Sequence, residues 1–334
     1  MTSSFAVRDA RLEDATAIEA IAAESWPDRD GLEYLPRVFE SWVENDDART
    51  LVAEVTDKSA VPDGAPAVAG IAQFTMLSAE EVWAQGMRVH PAYRGDGVGS
   101  RIVEAGFDWA HEQGATVARN MVFSWNGAGL GQSRATGFEP ATELRFASPE
   151  PTAGADPSDH GPDDAEAVLD PAAAWRYWTH SDAREQLSGL AADDAETWAV
   201  RELTRDDLDA AAAGGAAASG EPTDDEGLGT IAIQHGDRTV AMAVRSRVDE
   251  RRTEEGEEEG EQERIAIYGA AAWDDVNACA SLTSAIAADA AAVGADQTRV
   301  LIPETVRHVS DLAACRVEIG DEPDFVLAAD LTGR

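Results

Sequence analysis

Hydrophobic positions in the first 150 residues follow two alternating periods, that of a half-buried strand and that of an amphipathic helix. Ala15, Ile18, Ile21 and Ala22, for example, recur on one face of a predicted helix, and Asp63-Gly64 marks a hairpin connection. The pattern predicts strands at 5–10, 50–55, 67–77, 81–89, 116–123 and 138–146, and helices at 14–23, 35–43, 98–113 and 129–135.

The second half of the chain repeats this order. Trp198–Glu202 with Asp207 echoes Phe5–Asp9 with Asp14, and both pairs of positions are 193 residues apart. Further strands are predicted at 230–234, 239–248, 264–272, 298–302 and 325–331, and helices at 275–293 and 306–314. The repeat predicts a tandem of two related αβ units.

Between the two halves, residues 151–166 contain Pro151, Pro157 and Pro162 among Gly, Ser and Asp, a composition typical of a linker. The predicted organisation is therefore a domain at 1–150, a linker at 151–172 and a second domain at 173–334. An acidic loop with nine Asp or Glu among the fifteen residues 249–263 is predicted inside the second domain.

A glycine-rich segment between the strand at 81–89 and the helix from Val98 carries the clearest chemistry. Gly95, Gly97 and Gly99 lie within five residues at the start of that helix. Glycines allow the backbone to approach a ligand closely, and the unpaired N–H groups of a first helical turn converge on one point. The segment therefore indicates a site for a phosphate or pyrophosphate.

Two common phosphate loops are excluded. No Lys followed by Ser or Thr comes after the glycines, as a Walker A loop requires, and the G-x-G-x-x-G spacing of dinucleotide loops fails at Ser100 to Ile102. Arg94 to Gly99, read as Arg-x-x-Gly-x-Gly, instead resembles the pyrophosphate loop of the GNAT (Gcn5-related N-acetyltransferase) superfamily. Asn126, eleven residues before Gly137-Phe138, and the opening Phe5–Ala15 also resemble that family.

The resemblance covers residues 5–148 and implies an α/β (α+β) fold, with a central mixed, mostly antiparallel sheet flanked by helices and here duplicated. It implies acetyl-CoA as co-substrate, with backbone groups of Met87 and Val89 on the pantetheine arm and amides of Gly95 to Gly99 on the pyrophosphate. The residues expected to bind it are Met87, Val89, Arg94, Gly95, Asp96, Gly97, Val98, Gly99, Ser100 and Asn126.

Acetyl transfer also needs a base for the amine and an acid for the leaving thiolate. Many family members carry a Tyr seven residues after the Asn, whereas this chain has Ser133 there, and a serine hydroxyl is a poor acid. Glu81 is the best candidate base, because alternation places it on one face of its strand with Met87 and Val89. The alternative is that Glu81 only starts the strand at the surface; Glu80 and an exposed His90 are weaker candidates.

The second half departs from the family pattern where the cofactor would bind. Ala270–Asp275 contains no glycine, and Asp274 and Asp275 stand where a pyrophosphate would lie. Asp at a helix start is also an ordinary N-cap, so these residues need no function. The sequence therefore predicts a degenerate second copy that binds no acetyl-CoA.

Composition changes the picture mainly through charge. The chain of 334 residues has 64 acidic and 26 basic residues, and Lys58 is its single lysine. This composition resembles proteins of salt-loving microbes, whose self-repulsion is screened by salt. With no basic face, nucleic acid is excluded as a partner. Cys279 and Cys315 lack metal-ligand spacing, so we expect buried free thiols. No apolar run is long enough to span a membrane, so we expect a cytoplasmic protein.

These observations favour an acetyl-CoA-dependent N-acetyltransferase acting on a small-molecule or peptide amine. The alternative is an acyl-CoA-binding sensor or scaffold without turnover, which the missing Tyr motivates. A third class, a structural interaction protein, would not bind CoA. Neither the acceptor nor the oligomeric state follows from the sequence.

The charge generates the first prediction. With a formal net charge of −38, the chain is expected to lose folded structure when salt is removed, because the Debye length grows from about 3 Å at 1 M to about 10 Å at 0.1 M. Circular dichroism during dialysis out of molar KCl measures this. A melting temperature that is the same in molar and millimolar KCl would show that the acidic composition is no salt adaptation.

Overall fold

Antiparallel strands that lead into one parallel pair form the sheet of each half of the chain. The computed structural model describes residues 4–25, 34–159, 161–213, 227–252 and 262–334. It divides the chain into a first unit, which runs to Pro140 and includes Val326–Arg334, and a second unit, Ala141–Phe325.

The first unit begins as the sequence pattern predicts. Its strands are β1 (Phe5–Asp9), β2 (Ala48–Val55), β3 (Val68–Met76), β4 (Glu81–Val89) and β5 (Val117–Phe123). Its helices are α1 (Ala15–Ala23), α2 (Leu35–Glu44), α3 (Val98–Glu112) and α4 (Gly127–Ala135). Strands β1 to β4 pair antiparallel in chain order, and β4 pairs parallel with β5.

The second unit uses the same pairing pattern. Its strands are β6 (Glu139–Ser148, in this unit from Ala141), β7 (Ala165–Val168), β8 (Leu190–Ala192), β9 (Val200–Glu202), β10 (Thr230–His235), β11 (Arg238–Arg252), β12 (Gln262–Trp273), β13 (Gln297–Pro303) and β14 (Glu318–Ile319). Its helices are α5 (Pro171–Trp178), α6 (Asp182–Gln186), α7 (Arg205–Ala212), α8 (Val276–Ala292) and α9 (Val306–Ala314). Strands β10 to β12 pair antiparallel, and β12 pairs parallel with β13.

The mixed sheets flanked by helices confirm the predicted fold class. A repeated ion pair accompanies the repeated topology: Arg8 binds Asp14 with two contacts of 2.8 Å, and Arg201 binds Asp207 with contacts of 3.0 and 2.8 Å. Each aspartate also accepts the backbone N–H three residues before it, from Arg11 or Thr204. All of these positions keep the offset of 193 residues.

The last strand of each half belongs to the sheet of the other half. The chain's final strand, β15 (Asp324–Asp330), pairs with β5 and belongs to the first unit from Val326 on. Strand β6 pairs antiparallel with β13 of the second unit, with Val300 opposite Ala147. The predicted boundaries at 150 and 334 therefore differ from the structural division, because sequence order does not reveal which sheet a closing strand completes.

The predicted linker at 151–172 also contains structure. Strand β7 pairs with β10 and takes the edge position that β1 holds in the first unit. Val200–Glu202, predicted as the counterpart of β1, instead pairs with Leu190–Ala192 in a separate two-stranded sheet. The repeated sequence segment thus keeps its Arg–Asp contact, but its strand, Val200–Glu202, does not take the place that β1 has in the first unit. Residues 253–261 of the predicted acidic loop lie outside the described residues.

The apolar residues at 98, 102, 105 and 109 predict the buried face of helix α3, and the structure buries Val98 and Ile102 of these. Ala105 and Trp109 are only half-buried, and the buried face includes Ile102, Gly106 and Ala110. A Cβ on Gly106 would lie 2.1 Å from the ring of Phe74 on β3, so the glycine admits that ring against the helix. Close packing of this kind depends on tertiary contacts that no periodicity records.

The two cysteines meet in the second unit. Cys279 on α8 is buried, whereas Cys315 at the end of α9 is half-buried, with its Sγ 3.9 Å from the carbonyl oxygen of Val276, one turn before Cys279. A hydrogen bond between the thiols and burial raise the pKa of Cys279, and the same hydrogen bond lowers the pKa of Cys315. Among the described helices, none combines the length and apolar character needed to cross a membrane.

Removing the last strand tests the structural division. A variant that stops after Phe325 loses the partner of β5, together with the 2.9 Å bond from Leu331 N–H to the Thr116 carbonyl and the Arg334–Asp108 ion pair. We expect the β5 amides to lose hydrogen-exchange protection, because their sheet edge becomes accessible to water. Arg334→Ala is the matched control, since it keeps the strand and removes one exposed ion pair worth at most about 1 kcal/mol. Unchanged protection of β5 in the truncated chain would contradict the assignment of β15 to the first unit.

Candidate functional site

The site in the first unit is built on an irregularity in β4. The register between β3 and β4 shifts after Ile71, where Gly86 and Met87 face a single residue of β3, a β-bulge. Gly86 has φ of +65°, and a Cβ there would lie 2.5 Å from the indole of Trp42. The bulge thus needs glycine both for its backbone and for its space. It also interrupts the alternation that placed Glu81, Met87 and Val89 on one face.

Strands β4 and β5 separate near this bulge. Their parallel pairing covers only Glu81–Trp83 against Val117–Arg119 in the described chain. From there to its end, β4 keeps its antiparallel partner β3, with Val89 opposite Gly70. In the described chain β4 therefore has no second partner strand beside Met87 and Val89, so an extended ligand can align with the backbone there.

The glycine loop follows the open end of β4. Gly95 and Gly97 have φ of +88° and +77°, and Gly97 is the N-cap of α3. This N-cap makes no side-chain hydrogen bond. The amides of Val98, Gly99 and Ser100 in the first helical turn are thus left for a ligand, and the helix dipole favours an anion there. The phosphate site expected from sequence stays a prediction, and this helix start offers the amides that such a site uses.

Arg94 and Asp96 lie within the loop. The Arg94 side chain is exposed and its Nε donates to the Val89 carbonyl oxygen at 3.3 Å, which ties the loop to the end of β4. Asp96 is half-buried, and its amide donates to Tyr93 at 3.3 Å. The structure therefore brings Met87 and Val89 to the open strand edge and the residues from Arg94 to Ser100 to one turn beside it.

Helix α4 lies against this turn through Gln132. A Cβ at position 99 would lie 2.6 Å from Gln132 Nε2, so only glycine is small enough there to leave room for this amide. Gln132 Nε2 is buried and has no hydrogen-bond partner among the described residues. Because a buried donor without an acceptor costs free energy, this orphan amide beside the loop fits a ligand that supplies an oxygen. Gln132 carries no signal in the sequence, because only its packing against Gly99 identifies it.

Asn126 occupies the position after β5 that the sequence predicts. Its Oδ1 accepts the Gly129 amide at 2.9 Å, so the side chain caps α4. A Cβ on Gly129 would lie 2.6 Å from Asn126 Nδ2, which explains the glycine there. The cap uses the oxygen, and the Nδ2 amide keeps its capacity to donate.

Ser133 lies on α4, next to Gln132. It is 5% exposed, and its Oγ accepts a hydrogen bond from Asn120 Nδ2 on β5 at 2.9 Å. The Ser133 proton is therefore still available for donation. Asn120 Oδ1 is buried without a hydrogen-bond partner among the described residues, a second orphan atom near this site. Asn120 was not identified from sequence, because a single Asn in a strand carries no distinguishing signal.

Glu81 lies at the other end of β4. It is 8% exposed and forms an ion pair with Arg119 on the neighbouring strand, where β4 and β5 are still paired. Eight residues separate Glu81 from Val89, which corresponds to about 26 Å along a strand. The structure therefore does not bring Glu81 to the glycine loop, and Arg119 gives it a structural role that the sequence did not reveal.

His90 is buried, not exposed as expected. It is 4% exposed, its Nδ1 accepts the Ala92 amide at 3.2 Å, and its Nε2 lies 3.5 Å from Glu24. The imidazole thus fixes the turn that follows β4, because it caps the short helical turn at Pro91–Tyr93.

In the second unit, side chains cap the start of the corresponding helix. Asp275 is the N-cap of α8, and its Oδ1 accepts the amides of Asn277 and Ala278 at 2.9 and 3.0 Å. Asp274 accepts hydrogen bonds from Tyr177 and Arg238, both at 2.8 Å. The amides that are free in α3 are therefore occupied in α8, and two carboxylates stand beside them.

Comparisons with known proteins agree with this geometry. Residues 15–128 match the model of the acetyltransferase (GNAT) family. Among curated proteins, the thialysine N-epsilon-acetyltransferase of Bos taurus is 29% identical over 97 residues, which are 28% of this chain and 56% of that protein. The chain thus spans only about half the length of this relative.

Among solved structures, a GCN5-related N-acetyltransferase from Sphaerobacter thermophilus aligns with 98% of this chain and 96% of its own, at a TM-score of 0.57 and 12% identity. A protein from Thermoplasma acidophilum, described as a putative acetyltransferase, aligns with 97% of this chain and 99% of its own, at a TM-score of 0.49 and 13% identity. The first of these likenesses shows that the whole chain has the fold of such proteins. The family model thus matches about a third of the chain, all of it in the first unit, and the likeness to the Sphaerobacter structure shows the fold alone.

Proposed function

We propose that this protein is an N-acetyltransferase that binds acetyl-CoA in its first unit and transfers the acetyl group to an amine. The observation that carries the proposal is the start of α3, with Gly97 at φ of +77° and no side-chain cap, beside the end of β4 that has already separated from β5. That pair of features provides anion-binding amides next to an extended backbone edge, as a pyrophosphate with a pantetheine arm requires.

In this assignment, the amides from Gly95 to Ser100 and the Arg94 guanidinium hold the pyrophosphate, while Met87 and Val89 bind the arm through their backbone. The orphan Gln132 amide at Gly99 and the Asn126 Nδ2 group supply further donors. Bound acetyl-CoA supplies an activated acyl carbon: the amine nitrogen forms a bond to it, loses one proton, and the bond to sulfur breaks.

A base must then accept the amine proton, and an acid must deliver a proton to the sulfur. Ser133, whose oxygen is held by Asn120, is the proposed donor close to the site. Glu81 was the base proposed from sequence, and its place beside Arg119 leaves it able to act only at a distance through water. We therefore propose that solvent takes the amine proton, with Glu81 as the residue that holds β4 against β5.

The repeated Arg–Asp contacts and strand order further lead us to propose a tandem duplication whose second copy has lost cofactor binding. The acidic surface leads us to propose a salt-rich cytoplasm as its medium. The acceptor is an amine of a small molecule or peptide. The second function to consider is a sensor or scaffold that holds acyl-CoA without turnover, which the Ser133 substitution favours because no strong acid lies at that position.

Turnover separates the two functions. We expect the full chain in molar KCl to consume acetyl-CoA when given amines from a panel that includes amino acids, polyamines, thialysine and peptides. The ultraviolet absorbance of the thioester should be followed, because thiol reagents would also react with the half-buried Cys315. Stoichiometric binding of acetyl-CoA with no amine-dependent consumption by any class of amine would favour the sensor, and binding near two per chain would contradict the degenerate second copy.

The loop itself is tested by Gly97→Val. The αL backbone at Gly97 strains a β-branched residue by about 1–2 kcal/mol, and its Cβ would face the bound pyrophosphate. We expect the acetyl-CoA affinity of Gly97→Val to fall by at least about tenfold. Arg94→Ala should lose less affinity, because it removes one charge-assisted contact worth about 1.5–3 kcal/mol, which molar salt screens.

Gly64→Val is the matched control for Gly97→Val. Gly64 has φ of +80° and, like Gly97, has no atom within 4 Å of an added Cβ, but it lies in the connection between β2 and β3. The control should carry the same backbone strain and bind acetyl-CoA as the parent does. Parent-like affinity in a folded Gly97→Val variant would show that this loop is not the pyrophosphate site.

A further inference from the structure

The second unit contains a cavity of about 600 Å³ at the end of β12. Five parts of the unit form it: α5, the start of α6, the turn between β10 and β11, the end of β12, and α9. In the first unit, the corresponding strand end carries the glycine loop. The cavity therefore lies where the fold has its ligand site, but it is lined by different chemistry.

Most polar groups of this cavity are fixed by neighbouring groups. Arg307 donates from Nη2 to the carbonyl oxygens of Trp273 and Asp274, each at 2.6 Å, and forms an ion pair with Asp182. Asp274 accepts from Tyr177 and from Arg238, which neutralises it. Such a wall is preorganised, because its side chains need no rearrangement when a ligand enters.

His308 lies behind Asp182 and does not alter this charge balance. It is 1% exposed, with Nε2 3.9 Å from Asp182 Oδ1. Burial lowers its pKa, with Arg307 adding to this and Asp182 opposing it, so the imidazole is neutral at neutral pH. Asp182 is accordingly compensated by Arg307 alone.

Two charged groups of the cavity remain uncompensated. Arg176 on α5 and Asp237 in the β10–β11 turn line the cavity, and neither forms a hydrogen bond or ion pair through its side chain within the described ranges. A guanidinium donates hydrogen bonds to a carboxylate, and a carboxylate accepts hydrogen bonds from an ammonium group. Apolar walls are contributed by Ala173 and by the rings of Tyr177 and Trp273.

We propose that this cavity binds a small zwitterion of the amino-acid type, with its carboxylate on Arg176 and its ammonium group on Asp237. The site is separate from the proposed acetyl-CoA site, and its ligand is bound and not chemically changed. A zwitterion is favoured over a simple anion because Asp237 would repel an anion, and over a simple cation because Arg176 would repel that. The degenerate copy has then exchanged a nucleotide-binding site for an amino-acid site.

Three ligands of matched shape test the proposal on the full chain in molar KCl. L-Leucine carries both charges, 4-methylpentanoate lacks the amine, and 3-methylbutylamine lacks the carboxylate. Saturation-transfer NMR titration should give tighter binding for leucine than for either half-ligand. Glycine and L-phenylalanine, measured in parallel, report how much of the apolar wall is used.

Two variants then separate the charges. Arg176→Gln should weaken leucine and 4-methylpentanoate binding by about tenfold without weakening 3-methylbutylamine, which loses a repulsive charge. Asp237→Asn should weaken leucine and 3-methylbutylamine binding by about tenfold without weakening 4-methylpentanoate. Both side chains are exposed, so both variants are expected to fold. Arg205→Gln, an exposed arginine of the same unit outside the cavity, is the matched control.

Absence of saturable binding by all three amino acids would overturn the proposal. So would leucine affinity equal to that of a half-ligand, or leucine binding that neither variant weakens. Acetyl-CoA binding measured on the same samples is independent of these outcomes, because the proposed acetyl-CoA site lies in the first unit.

Discussion

The structure of the first unit depends on how β4 is paired. On one side β4 keeps β3 as its partner to its last residue, and on the other it leaves β5 after three paired residues. The bulge at Gly86, made possible by the missing Cβ against Trp42, accompanies this separation. A sheet that continued to pair would bury the backbone groups that the proposed ligand needs. The local loss of sheet hydrogen bonds is thus the condition for a site, and the rest of the sheet stabilises it.

Exchange of the closing strands places a second constraint on the chain. Strand β5 is completed by the chain's last residues, and β13 by residues 141–148. Each unit therefore requires a segment that lies far away in sequence, which makes a fragment such as 1–150 an unsuitable test of the first unit. The hydrogen bond of the Leu331 amide and the ion pair between Arg334 and Asp108 hold the returning strand in place.

Local signals predicted most elements to within two or three residues, because periodicity, Gly and Asp positions report short-range physics. Strand β4 and helix α9 have the predicted bounds, and Gly97 has the positive φ that the loop argument requires. The sequence could not reveal which sheet β6 and β15 complete, nor that β7 forms inside a proline-rich segment, because these depend on long-range pairing. At the site, the loop was predictable, but Gln132, Asn120 and Arg119 were not. Each acquires its role only from a neighbour that lies far away in sequence.

At the starts of α3 and α8, the two units differ in the capping residue. Both helices follow the last antiparallel strand and precede the parallel one. Gly97 leaves the first amides of α3 without a side-chain acceptor, while Asp275 satisfies two amides of α8 with its own carboxylate. Asp at an N-cap stabilises a helix over Gly by about a few tenths of a kcal/mol. A helix start capped by Asp no longer binds anions, because its donors are occupied and a negative charge stands among them. Retaining the weaker, uncapped start in one copy only is understandable if a ligand takes the place of the cap.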